Sequence, residues 1–163
     1  MSAVLKPETL PEATGPSRET ILAFQAELGN LATFQPRECP LKHTFAPCMY
    51  AREIFLPADT FIVGKIHKHA HLNIVTKGRC TVVTEFGRKE IDATNGPVTF
   101  TSDAGAKRAL YCHEDTIWTT VHLTNSTDLA EIEREIIAPT YEELGAFLAR
   151  EAQELIAPKV QEG

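Results

Sequence analysis

The sequence contains no run of apolar residues near the roughly 18 to 20 that a membrane-spanning helix needs. Its first segment, MSAVLKPETLPEATGPS, lacks the apolar stretch of a secretory leader. A soluble, cytoplasmic protein with no membrane partner is expected. Cationic residues are also scarce: 16 Lys and Arg against 22 Asp and Glu give a net charge of −6, with no basic face spelled out. Nucleic acid is therefore not an expected partner. The four cysteines, Cys39, Cys48, Cys80 and Cys112, lie far apart with no CxxC pair, which excludes a zinc ribbon and a dense disulfide framework. They are expected to be reduced and mostly buried. Cys48, in a Pro-Cys-Met-Tyr turn, has no adjacent His or helix start to lower its pKa, so no catalytic thiol is expected. There is no internal repeat and no low-complexity tract.

What is present fits one globular domain of 163 residues, 43% of them hydrophobic. Residues 1–16, rich in Pro, Gly, Glu, Thr and Ser, read as a disordered tail. Ser17 reads as the N-cap of a helix over 17–29, with Ile21, Phe24 and Leu28 at helical spacing and Gly29 as its stop. From about 40 to 125 the period shortens. Nine β-type segments (LKHTF, YAREIFL, TFIVGKIH, LNIVTKG, CTVVTEF, KEID, PVTFTS, KRALYC and TIWTTVHLT) are separated by Pro, Gly, Asp or Asn turns. With no helix between them they must pair antiparallel, which predicts a sandwich or closed roll. Over 126–158 two helices are expected. The first is capped by Asp128 with Glu131, carries a stripe of Leu129, Ile132, Ile136 and Ile137, and stops at Pro139. The second runs from Thr140 to about Ile156 with Leu144, Phe147, Leu148, Ala152 and Leu155 on one face, closed by Pro158. Both are expected to dock on the roll or on a second subunit.

Three of the six histidines fall within five residues, His67, His69 and His71. On a straight strand His67 and His71 would stand about 13 Å apart, whereas nitrogens sharing one ion must lie within about 4 Å of each other. They can share an ion only if Lys68 to Ala70 form a turn. Apolar segments ending before His67 and starting after His71 predict such a turn, and place two imidazoles at one rim. A third ligand must come from elsewhere. His122 ends the segment TIWTTVH and shares a face with Trp118 and Thr120, while Ile117, Val121 and Leu123 lie opposite, so alternation leaves open which face is inner. His43 stands in reserve.

The span from about Pro57 to His122 resembles the cupin superfamily. The usual first motif of that family is Gly, five residues, His-x-His, three or four residues, Glu, six residues, Gly. It lays Asp59 on the first Gly, Lys65 on the first His, His67 on the second, His71 on the Glu and Gly78 on the closing Gly. In the weaker second motif Gly96 stands first, Gly105 fits after a one-residue shift, Arg108 takes the His place and Cys112 the Asn place. The stretches GKIHKHAHLNIVTKG, AGAKRALY, HEDTIWTTVH and FAPCMYAREIFLPA look like small cupin proteins encoded by phages and prophages. The resemblance implies an all-β double-stranded β-helix, or jelly roll, here with one N-terminal and two C-terminal helices. It also implies that the strand starting at His71 runs antiparallel beside the one ending at His122, so that His67, His71 and His122 converge at one mouth.

The function these residues predict is a metal-binding cupin protein acting on a small anionic metabolite. His67, His71 and His122 would hold a divalent transition metal (Zn, Fe, Mn, Ni or Cu), with positions open for water or ligand. Lys65 and Arg108, cations inside a roll, would hold a carboxylate or phosphate, and Asn73, on the same strand face as His71, would orient a ligand. The fold alone does not choose among oxygenase, isomerase and lyase. The other reading is a non-catalytic ligand-binding or oligomeric module, favoured by the absent Glu and second-motif His. Edge strands and apolar helix stripes predict a homodimer.

Overall fold

The computed structural model describes residues 15–30 and 37–156, so most of the expected tail and the stop at Pro158 lie outside the described residues. The first hairpin pairs β1 (Leu41–Ala46) with β2 (Met49–Leu56). Pro47 sets φ at the first turn position and Cys48 takes φ 60° at the second, the arrangement of a type II turn. After β2 the chain turns at Asp59, also left-handed at φ 58°. The Asp59 carboxylate accepts a hydrogen bond from the Tyr111 hydroxyl at 2.8 Å.

The chain then forms β3 (Thr60–Val63), β4 (Ile66–His67), β5 (His71–Lys77), β6 (Arg79–Thr84), β7 (Gly87–Asp92), β8 (Val98–Ser102), β9 (Ala109–Cys112) and β10 (Thr116–Leu123). Two antiparallel sheets result, one ordered β1-β2-β10-β5-β8 and the other β3-β9-β6-β7. Apart from the β1–β2 and β6–β7 hairpins, neighbours in each sheet are distant in sequence and the chain crosses repeatedly between sheets, which makes this a jelly roll. Gly78 alone joins β5 to β6 in the opposite sheet. Its φ is 91°, and a Cβ there would lie 2.5 Å from the Asp115 carbonyl oxygen, so the corner needs glycine.

Leu56, Val75, Cys80, Val82, Ile91, Leu110, Cys112 and Trp118 fill the space between the sheets. All four cysteines are free thiols. Cys80 and Cys112 face each other across β6 and β9, and burial pushes their thiols up to about 12 and about 11, so neither is a nucleophile.

Three helices flank the roll: α1 (Arg18–Asn30), α2 (Leu129–Ile136) and α3 (Tyr141–Ile156). The Asp128 carboxylate caps α2 by accepting from the Glu131 N–H at 2.8 Å. The C-terminal helices dock on the roll itself. Ile132, Ile136 and Ile137 cluster with Tyr50 of β2, and Leu144 clusters with Ile66 and Ala138. On α1, Ile21 is buried and Phe24 meets Phe61 edge-on with ring centroids 5.0 Å apart. Arg18 pairs with Glu85 at 2.7 Å and lies over the Tyr141 ring.

Three expectations are corrected. The segment TFIVGKIH is two strands, because Gly64 donates to the Arg108 carbonyl at 2.8 Å at the end of the β3–β9 ladder, and Ile66–His67 then pairs with a new strand, β11 (Ile137–Ala138). Ile137 therefore leaves the helical stripe. It adopts φ −110°, ψ 135°, the extended backbone that its pairing with His67 requires. Leu129, Leu148 and Leu155 are exposed, so the apolar faces of α2 and α3 are narrower than their periodicity predicts.

Candidate metal centre and adjoining cavity

His67 ends β4 and His71 begins β5, with a bend over Lys68–Ala70 between them. The bend is pinned by Lys68 N–H donating to the Ile136 carbonyl and Gly105 N–H donating to the His67 carbonyl, both at 2.8 Å. Gly105 is left-handed at φ 76°, and the Tyr141 hydroxyl in turn donates to its carbonyl. The result is a His67–His71 ring separation of 4.1 Å. On β10 the inner face is the one with Thr116, Trp118, Thr120 and His122, while Leu123 is 83% exposed. Because β5 and β10 run antiparallel with Leu72 opposite Val121, His122 arrives beside His71, its ring 4.9 Å from His71 and 5.1 Å from His67.

One ligand atom from each of His67, His71 and His122 lies within 4.8 Å of the others, and all three residues are buried. Burial, with neighbouring cations adding to it, lowers His67 to about 2 and His71 and His122 to about 4. All three rings are neutral at pH 7, the form that ligates a metal. His67 Nδ1 and His122 Nε2 are buried with no hydrogen-bond partner among the described residues, an arrangement that normally costs about 1–3 kcal/mol per group. Two orphaned nitrogens on neutral imidazoles fit a divalent transition ion, although bonds of about 2.0–2.1 Å require the rings to draw together by roughly an ångström. His71 is the constrained member. Its Nδ1 lies 3.3 Å from the His69 carbonyl and its Nε2 lies 3.3 Å from an Arg108 nitrogen, so Nδ1–H donates and Nε2 accepts.

Beside His67 the roll carries a partly open cavity of about 410 Å³. Its wall is apolar along Ile54, Leu56, Leu110 and Trp118, and polar at Arg52, Lys65, Arg108 and Thr120. Arg108 donates to Ser102 Oγ at 2.7 Å and to Asn73 Oδ1 at 3.3 Å, and lies over the Trp118 ring. Burial lowers it to about 10, which leaves it charged.

The expected site residues fall into different places. Arg108 faces the cavity. Lys65 stands at the exposed rim and pairs with Glu133 of α2, not with an acid on the roll. Asn73 is fully buried beneath Arg108: its amide N–H donates to Ser102 Oγ at 2.9 Å and its oxygen accepts from Trp118 Nε1 at 3.0 Å. It does not line the cavity and touches its wall through the hydrogen bonds it accepts from Arg108 and Trp118. His69 packs against Phe147, and His43 is within hydrogen-bond distance of the Tyr50 hydroxyl, so neither joins the cluster. Arg52 and Ser102 had been given no part. Arg52 could have been found by alternation, since 52, 54 and 56 share the inward face of β2. Ser102 and Glu133 carry no such local signal.

No protein-family model and no curated protein matches the chain. Solved structures similar to it include proteins described as cupins. A cupin 2 conserved barrel domain protein from Leptotrichia buccalis is 16% identical, over 64% of this chain and 50% of that one, with a TM-score of 0.46. KdgF from Halomonas sp. is 14% identical, over 58% and 86%, at 0.45. Salicylate 1,2-dioxygenase from Pseudoaminobacter salicylatoxidans is 14% identical, over 75% and 35%, at 0.49. The chain thus spans half of the first protein and about a third of the dioxygenase. At these scores the likeness carries nothing about substrate or reaction.

Proposed function

We propose that this protein is a metal-binding cupin that acts on a small anionic metabolite at the mouth of the roll. The supporting observation is the convergence of three buried, neutral imidazoles, two with orphaned nitrogens, beside a cavity that presents Arg108. His67, His71 and His122 would hold the ion, which when bound would polarise a substrate oxygen or activate water or dioxygen. Arg108 would grip the anion, Asn73 and Ser102 would fix the guanidinium plane, and the C-terminal helices would keep water off the His67 side. In this reading the roll over 40–125 carries the site and the helices that follow it cover it. The active form would be a homodimer in the cytoplasm, in the host cell if the resemblance to phage-encoded cupins reflects origin.

Elemental analysis of protein purified without chelator tests the proposal. About one transition-metal ion per chain is expected, and it should disappear in the double variant His67→Ala, His71→Ala. Folded wild-type protein that neither carries nor takes up a stoichiometric ion would overturn it. A second reading, a non-catalytic anion-binding module, is favoured by one observation: Arg108 already occupies the Nε2 side of His71, where a cation repels an incoming ion.

A further inference from the structure

Arg108 is an uncompensated charge. A guanidinium carries five N–H donors, and its partners here, Ser102, Asn73 and the His71 ring, are all neutral. No carboxylate pairs with it among the described residues. Arg52, on the same wall, makes no ion pair among the described residues either. The third cation of the wall, Lys65, is neutralised by Glu133. The cavity lining contains no Asp or Glu, although the chain as a whole is net negative at −6. A buried cation without a counter-charge is costly, and the geometry leaves guanidinium N–H groups for an anion to accept from.

The rest of the wall narrows the kind of anion. Leu56, Leu110, Ile54 and the Trp118 ring line the rest of the wall with apolar groups, which offer no partner to a ligand charged along its whole length. The volume, about 410 Å³, lies in the range that holds a small organic molecule.

We propose that this cavity takes a carboxylic acid with an apolar body, its carboxylate on Arg108 and its hydrocarbon part against Leu56, Leu110 and Trp118. This rests on the anionic-ligand reading above but needs no bound ion. Asn73 is the positioning residue: by accepting from both Arg108 and Trp118 it holds the cation and the apolar platform in one fixed relation.

The chain has one tryptophan, and it lines this cavity, so its fluorescence reports occupancy directly. The test is titration of metal-free and Zn(II)-supplemented protein with acetate, hexanoate, hexanol, succinate and inorganic phosphate, followed by Trp118 emission and calorimetry. Hexanoate should bind at least about tenfold tighter than acetate, from the added methylenes, and tighter than hexanol. Arg108→Gln should weaken hexanoate about ten- to a hundredfold and leave hexanol within about twofold. Asn73→Asp, which supplies an isosteric counter-charge to Arg108, should weaken hexanoate comparably and provides a second readout should Arg108→Gln fail to fold. Succinate or phosphate matching hexanoate would overturn the apolar body while leaving the anion reading intact. Absence of binding by any probe to folded protein, or hexanoate binding insensitive to both substitutions, would overturn the proposal even if the metal content is as expected. Arg108-dependent hexanoate binding by a protein that takes up no ion would uphold it and defeat the metal reading.

Discussion

His67, His71 and His122 respond to burial in the same direction, because withdrawing an imidazolium from water disfavours the charged form. Their folded values of about 2, 4 and 4 lie below the ordinary 6.5. The unfolded chain therefore binds more protons than the native one between pH 6.5 and 4, and stability falls as pH drops through that window. Above pH 6.5 both states are neutral at these rings and the contribution is fully present. Urea unfolding of metal-free protein at pH 8, 7, 6 and 5 should show little change from 8 to 7, then a decline approaching about 1.4 kcal/mol per pH unit for each ring. His122→Gln should make that decline shallower. A flat profile would mean that the rings are not held neutral by burial. Lys65 is a contrasting case: its pair with Glu133 is about half-exposed on both sides, so Lys65→Ala should cost less than about 1 kcal/mol in the same assay.

β4 is the weakest element of the site and the one on which it depends most. Two residues long, it takes its ladder from β11 and its next backbone bond from Ile136, all beyond residue 135. The α2 stripe seats those partners by burying Ile132 and Ile136 against Tyr50. Ile132→Ala should therefore cost about 2–4 kcal/mol. More tellingly, hydrogen exchange at the Lys68 amide should accelerate more than at core amides of β5 and β10, because the bend between His67 and His71 loosens before the roll does. Equal acceleration across all three would show that α2 is part of the global core and not a separate clamp.

For the whole molecule, an ion held by the native His cluster and by nothing in the unfolded chain adds stability by mass action. At a free concentration of 100 times the dissociation constant the gain is about 2.7 kcal/mol, which for a chain of this size shifts the melting temperature by roughly 5–10 °C. Thermal melts with and without Zn(II) or Co(II) should show that shift in the wild type and lose it in the His67→Ala, His71→Ala protein. An equal shift in both would place the ion elsewhere.

Much of this molecule is decided locally. The period-2 segments, the turns at Pro47–Cys48 and Gly78, and the Asp128 cap each follow from side-chain alternation or from a φ that one or two residues must supply. The bend between His67 and His71 is signalled locally too, since two apolar segments end and start five residues apart around it, although Ile136 and Gly105 hold it. The remainder is not written in any neighbourhood of the chain. Which face of β10 is inward, that Glu133 rather than a roll acid takes Lys65, that Ile137 leaves its helix to pair with His67, and that Asn73 lies under Arg108 instead of facing a ligand all depend on contacts between residues about 35 to 70 positions apart. Alternation specifies two faces without saying which is buried, and only the closing of two sheets over a common interior selects one.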